Sequence, residues 1–141
     1  MNKQNVSVVI LAAGKGTRMK SARAKVMHQV FFKPMIHHVL DSLTSLPIHQ
    51  TVVVTGHQAE KVEQACAGYD LLFARQYEQL GTGHAVLAAQ SSLSPDTDVV
   101  MILCGDTPLI RTETLQAMLS EHLAGSHKLT VMTTVVDNPT N

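Results

Sequence analysis

The 141-residue sequence is poor in the features that mark secreted, membrane and metal-cage proteins. Its two cysteines, Cys66 and Cys104, form no CxxC pair and make no disulfide framework, so a reducing cytoplasm is the natural compartment. The longest unbroken apolar runs, Val8–Ala13 and Val99–Cys104, are far too short to span a bilayer. Residues 1–13 superficially match a signal peptide, but the dense positive charge from Lys15 to Lys25 opposes export. The eight histidines include no i, i+4 pair and no HExxH, which argues against zinc, and no serine sits in a GxSxG elbow. Apolar residues at 45% against charged residues at 16% are the reverse of a disordered chain.

Acidic residues are missing where it matters most. Residues 1–40 hold seven basic side chains (Lys3, Lys15, Arg18, Lys20, Arg23, Lys25 and Lys33) and no acidic one. The formal net charge of zero therefore hides a +7 segment followed by a −7 remainder. Such asymmetry points to a local anion site near the N-terminus. Nucleic acid is the wrong anion for it: the cations flank one loop and lack interleaved aromatics, with only Phe31 and Phe32 nearby.

What is present alternates two periods. Val6–Ala13 reads as a strand covered on both faces, and Pro34 opens a helix with Met35, Ile36, Val39, Leu40 and Leu43 on one side. Thr51–Thr55 predicts a strand, His57–Ala67 a helix, Leu71–Ala74 a strand and Leu80–Ser92 a helix, with Thr82 a candidate N-cap. Asp98–Cys104 predicts another buried strand and Thr112–Ala124 a helix with Leu115, Leu119 and Leu123 on its buried stripe. Leu129–Val136 predicts a last strand. This β-α alternation argues a three-layer, Rossmann-like α/β fold with a mostly parallel sheet and right-handed crossovers. Ligands in such a sheet sit outside the carboxyl ends of the strands, where residues 13–18 and 105–108 fall.

The loop after the first strand, Gly14-Lys15-Gly16-Thr17-Arg18-Met19, fits neither common nucleotide fingerprint. A dinucleotide turn needs glycine at position 19, and a P-loop needs four residues between its glycines. Its physics still suits phosphate. Two glycines let main-chain N–H groups approach an anion, and Lys15, Arg18 and Lys25 add full charges; a tight turn beside solvated lysines is the bland alternative. Gln76 by itself reads as a polar loop residue facing water, Gly81 and Thr82 stand at a helix start, and Asp106 ends an apolar strand before Pro108, as a turn aspartate or a Mg²⁺ ligand.

Three segments carry a more specific resemblance. Leu11-Ala12-Ala13-Gly14-Lys15-Gly16-Thr17-Arg18-Met19, with Lys25 beyond it, resembles the signature of the sugar-1-phosphate nucleotidylyltransferases. Gln76-Tyr77-Glu78-Gln79-Leu80-Gly81-Thr82-Gly83-His84-Ala85 is similar to the uridine-binding segment of that family's bacterial N-acetylglucosamine-1-phosphate uridylyltransferases. Gly105-Asp106-Thr107-Pro108-Leu109-Ile110 resembles the family's metal-binding turn. The resemblance implies transfer of UMP from UTP to N-acetylglucosamine-1-phosphate, giving UDP-N-acetylglucosamine, a cell-wall precursor, and pyrophosphate. By the same resemblance Leu11, Ala12, Ala13 and Gly14 would contact the nucleotide through their backbone. Arg18 would hold the leaving pyrophosphate and Lys25 the α-phosphate. Gln76, Gly81 and Thr82 would meet the base, Cys104 and Gly105 would line the nucleotide site, and Asp106 would bind Mg²⁺.

Two positions depart from the pattern. Ala24 stands where many relatives have proline, leaving the 19–25 loop less preset, and Cys104 stands where relatives often have an aromatic. The resemblance further implies that residues 1–141 are the N-terminal, nucleotide-binding part of a longer domain. The sugar contacts, the second metal ligand and a C-terminal acetyltransferase β-helix would follow, and the parent would be a homo-oligomer through that C-terminal region. A binding module for UTP–Mg²⁺ with little turnover, or a related cytidylyl- or guanylyltransferase, are the alternative expectations.

Overall fold

The computed structural model describes residues 4–138. Four parallel strands form the main sheet: β1 (Val6–Leu11), β4 (Ile48–Thr55), β5 (Leu72–Arg75) and β6 (Val99–Cys104), in the order β5-β4-β1-β6. A small antiparallel hairpin pairs β2 (Gln29–Val30) with β3 (Lys33–Pro34). The helices are α1 (Met35–Leu43), α2 (Ala59–Ala65), α3 (Thr82–Ala89) and α4 (Thr112–Ala124).

β1 is central because its sequence can be buried on both faces: every residue from Val6 to Ile10 is buried. Its alternating side chains feed two cores. Val6, Val8 and Ile10 pack with Val53, Met101 and Leu103 under α1, α2 and α4, through Ile36, Val39, Val62, Leu115 and Leu119. Val9, with Val52, Val54 and Ala74, packs against Ala85 and Ala89 of α3. Each fully buried aliphatic side chain contributes about 1.5–3 kcal/mol, so the first face, with three helices and larger side chains, carries most of the packing. The second face is closed by one helix of alanines.

That inequality corrects three sequence expectations. β6 is buried on one face only, because α3 does not reach it; Val100, Ile102 and Cys104 are exposed. Leu123, expected on the stripe of α4, is 38% exposed while Leu115 and Leu119 are buried. Leu129–Val136 forms no strand: the segment is irregular, and Val131 and Val135 are exposed. Strand propensity needs a neighbour to bond with, and here His122 Nδ1 on α4 meets the Thr130 hydroxyl at 2.9 Å instead. Other boundaries moved slightly. β1 ends at Leu11 and α2 is shorter than expected. Thr82 is the first residue of α3 and makes no side-chain cap, with Gly81 (φ 104°) in the cap position.

The two-residue turn of the β2–β3 hairpin is Phe31-Phe32. Both residues have positive φ (48° and 64°), and their side chains are 78% and 97% exposed. No helix among the described residues is long and apolar enough to cross a membrane.

Candidate nucleotide site

A cavity of about 310 Å³ opens at the carboxyl ends of β1, β5 and β6. It brings together Leu11, Ala12, Ala13 and Gly14 from the end of β1, Lys25 from the loop beyond, Gln76, Gly81 and Thr82 from the β5–α3 segment, and Cys104 and Asp106 from the end of β6. Two sequence-predicted residues stand apart from this lining. Gly105 lies behind the wall: its N–H donates to the Leu11 carbonyl (2.9 Å), and a Cβ there would meet that oxygen at 3.1 Å and Val26 Cγ1 at 3.0 Å. Arg18 is exposed on a short 3-10 turn (Thr17–Met19) and does not line the cavity. A larger groove of about 530 Å³ lies at the opposite end of β4 and β5, lined by residues such as Leu46, His49 and Asp70. It holds no lysine, arginine or glycine turn, so chemistry selects the smaller cavity.

The cationic wall is set by backbone geometry. Gly16 adopts φ 63°, and a Cβ there would meet Lys25 Cβ at 2.8 Å, so glycine both permits the turn and lets the chain close on Lys25. Lys25 Nζ reaches Asp106 Oδ2 at 2.5 Å, joining the loop to the end of β6; both side chains keep substantial solvent contact, at 42% and 29% exposure. The loop is also pinned where relatives of the resembled family carry proline. Ala24 has a proline-like φ of −54°, and its N–H donates to Gln58 Oε1 at 3.0 Å, a bond proline has no hydrogen to make.

The opposite wall is neutral. The Gln76 side chain is 5% exposed, and its amide nitrogen donates to the Gly81 carbonyl (3.1 Å) and meets His84 Nδ1 (2.9 Å). Gln79 Nε2 donates to the Ala13 carbonyl at 2.7 Å, tying this wall across to the end of β1. Gln79 and the contact between His84 and Gln76 are features of this wall that the residue types alone did not disclose. The only signal was their place in the Gln76–Ala85 segment.

Neither thiol is an activated nucleophile. Burial pushes Cys66 up to about 11. Cys104 is raised too, first by desolvation and then by the Asp106 carboxylate, with Lys25 opposing. Arg75 is engaged by Glu60 (2.8 Å) and Glu63 (3.3 Å) on α2 and does not line the cavity, whereas Lys25 lines it while paired with Asp106.

The comparisons with known proteins agree with this geometry. The chain is 51% identical over its whole length to the "Bifunctional protein GlmU" of Desulfotalea psychrophila and 48% identical over 94% of its length to the protein of that name from Listeria innocua. It spans only 42% and 29% of those two relatives. Among solved structures it resembles a nucleotidyl transferase from Methanothermobacter thermautotroptrophicus (TM-score 0.75, 25% identity, 85% of this chain and 58% of that one). It also resembles a CMP:2-keto-3-deoxy-manno-octonic acid synthetase complexed with CTP (TM-score 0.65, 26% identity, 86% of this chain and 48% of that one). With residues 8–139 matching the family described as the MobA-like NTP transferase domain, the chain belongs to that family.

Proposed function

We propose that this chain binds UTP in the carboxyl-end cavity and that the full-length protein transfers UMP to N-acetylglucosamine-1-phosphate, forming UDP-N-acetylglucosamine and pyrophosphate. The observation that carries the reading is one cavity with two unlike walls: a glycine loop with Lys25 and Asp106 on one side, a buried amide network around Gln76 on the other. The first suits a polyphosphate and the second a base.

In this reading the oxygen of the sugar phosphate attacks the α-phosphorus of UTP and the bond to the β-phosphate breaks, releasing pyrophosphate. Catalysis is then mostly alignment and charge neutralisation. The main chain of residues 11–14 cradles the nucleotide, Lys25 meets the α-phosphate, and Arg18, on the exposed turn that follows, grips the departing pyrophosphate bidentately. Asp106 offers hard oxygen donors next to a cation, and no group of three or more His, Cys, Asp or Glu surrounds it among the described residues. That donor set fits Mg²⁺, which binds through one or two carboxylates and completes its shell with water and substrate phosphate oxygens. When bound there, Mg²⁺ supplies further neutralisation of phosphate charge. The cytoplasm is the compartment where such nucleotides and reduced thiols coexist.

A second reading follows from length: a chain spanning 42% of its relative binds UTP–Mg²⁺ while turning over little by itself. Pyrophosphate release by this chain itself tests the second reading, which rapid release would reject. Calorimetry with UTP and Mg²⁺ on this chain should show binding, and the full-length protein should release pyrophosphate from UTP and N-acetylglucosamine-1-phosphate, with that release lost in Arg18→Ala. Equal rates with and without Arg18 would sink the transfer mechanism, and absence of UTP binding would sink both readings.

A further inference from the structure

The Gln76 amide is not free to choose its orientation. The Gly81 carbonyl oxygen only accepts, so the atom 3.1 Å from it must be the NH₂ nitrogen of Gln76. That same nitrogen lies 2.9 Å from His84 Nδ1, and its second hydrogen points the only way left to it. Nδ1 must then accept, which places the imidazole proton on Nε2. Both amide hydrogens are spent inside the wall. The main-chain N–H of Gln76 is spent as well, on the Thr55 carbonyl at 2.8 Å. What remains of this nearly buried side chain is Oε1, which accepts no hydrogen bond among the described residues.

We infer that His84 is a positioning residue for base selection: with the Gly81 carbonyl it locks Gln76 as a pure acceptor, so that the cavity favours a pyrimidine carrying a donor at N3 over one carrying an acceptor there. Uracil has an N3–H and cytosine a bare N3. This rests on the reading that the cavity takes a uridine nucleotide, and it adds the device that distinguishes UTP from CTP. A glutamine held by one acceptor meets a single mismatch when it turns to present its NH₂ to cytosine. One held by two acceptors meets two, because turning would set Oε1 against both the Gly81 oxygen and the Nδ1 lone pair. Specificity arises from the mismatch, since a buried acceptor facing an acceptor leaves both unpaired.

Two isosteric variants isolate the role. Asparagine places an acceptor near the position of Nδ1, whereas leucine fills similar space with none. Binding of UTP and of CTP, each with Mg²⁺, is measured by calorimetry on the chain and its variants. His84→Leu should cut the UTP-over-CTP preference about tenfold, mainly through tighter CTP binding as the amide becomes able to turn, and His84→Asn should keep it within about threefold of the original. A purely structural histidine would lower both affinities together and leave the ratio alone. Nitrogen-15 spectra of the unmodified protein supply an independent readout, with His84 expected as the Nε2–H tautomer with unprotonated Nδ1. A preserved ratio in His84→Leu, or a ring protonated on Nδ1, overturns the assignment of His84 while leaving the uridine reading standing. Equal affinity of the unmodified chain for UTP and CTP overturns the uridine reading itself.

Discussion

The wall formed by residues 14–25 and Asp106 holds its groups with charge and glycine geometry, whereas the wall formed by residues 76–85 holds them with neutral hydrogen bonds. The Lys25–Asp106 pair is partly solvated, and ion pairs so placed are worth about 1 kcal/mol or less. It can be exchanged at little cost for a phosphate on the lysine and a cation on the aspartate. The Gln76 network is almost sealed and uncharged, so it neither exchanges nor responds to salt. Under the proposed function, the phosphate wall would give up its own contacts when ligand arrives and the base wall would keep them. The difference between the walls suits those opposite requirements.

Asp106→Ala breaks this comparison hardest. Pyrophosphate release by the full-length protein should fall by about 10²–10³-fold, the scale of losing one preorganised electrostatic group. The UTP-over-CTP preference in binding should not move, because Asp106 touches only the charged wall. A shifted preference would mean the two walls act as one unit.

How much of this was readable beforehand depended on the range of the interactions. β1 was legible because a central strand must be apolar on both faces, and the glycine turn after it was legible from its local composition. The rule of strand carboxyl ends picked out residues 13–18 and 105–108, and the resemblance added Lys25, Gln76 and Gly81; the structure brings Gly14, Lys25, Gln76, Gly81 and Asp106 to one cavity. The failures were all of partnership. Leu129–Val136 has strand composition but bonds to no strand among the described residues, and β6 reads as fully buried although one helix fails to cover it. The Gln79–Ala13 bond spans 66 residues and the Ala24–Gln58 bond 34, separations at which no local pattern signals a contact.

Outside both walls, the hairpin turn sharpens the contrast by storing strain that nucleotide binding does not use. Left-handed φ at Phe31 and Phe32 costs each residue on the order of 1 kcal/mol or more. Two-residue hairpin turns with positive φ at both positions favour Asn-Gly. The double replacement Phe31→Asn, Phe32→Gly should therefore raise stability by about 1–2 kcal/mol in urea unfolding, with UTP affinity unchanged. Unaltered stability would show that the turn is not strained, and altered affinity would place it in the site.

Gln79→Ala cuts the tie between the walls. Losing one partly buried hydrogen bond of about 1 kcal/mol should weaken UTP binding roughly fivefold. The base preference should survive, since the Gln76 bonds to Gly81 and His84 are separate. Loss of the preference together with affinity would make Gln79 part of base reading rather than a strut between walls.

The smallest effect probes how the charged wall keeps its shape without proline. Ala24→Pro fits the φ of −54° and gains about 0.4–1 kcal/mol by restricting the unfolded chain. It also removes the N–H donated to Gln58 Oε1, a bond worth about 0.5–1.5 kcal/mol. The two terms nearly cancel, so the single variant should lie within about 1 kcal/mol of the parent and reveal little by itself. The cycle with Gln58→Ala is informative. Gln58 has left-handed φ (53°), so its replacement disturbs the start of α2 equally in either background, and only the lost bond differs between them. Gln58→Ala should then destabilise the parent protein by about 1 kcal/mol more than it destabilises the Ala24→Pro variant, a coupling that double-mutant analysis of urea unfolding resolves. Additive changes would show that Gln58 contributes nothing to the loop. The 19–25 segment would then owe its shape to its other contacts, among them the Gly16 turn, the His57–Ala22 bond and the Lys25–Asp106 pair, and it should loosen with salt to the extent that the pair holds it.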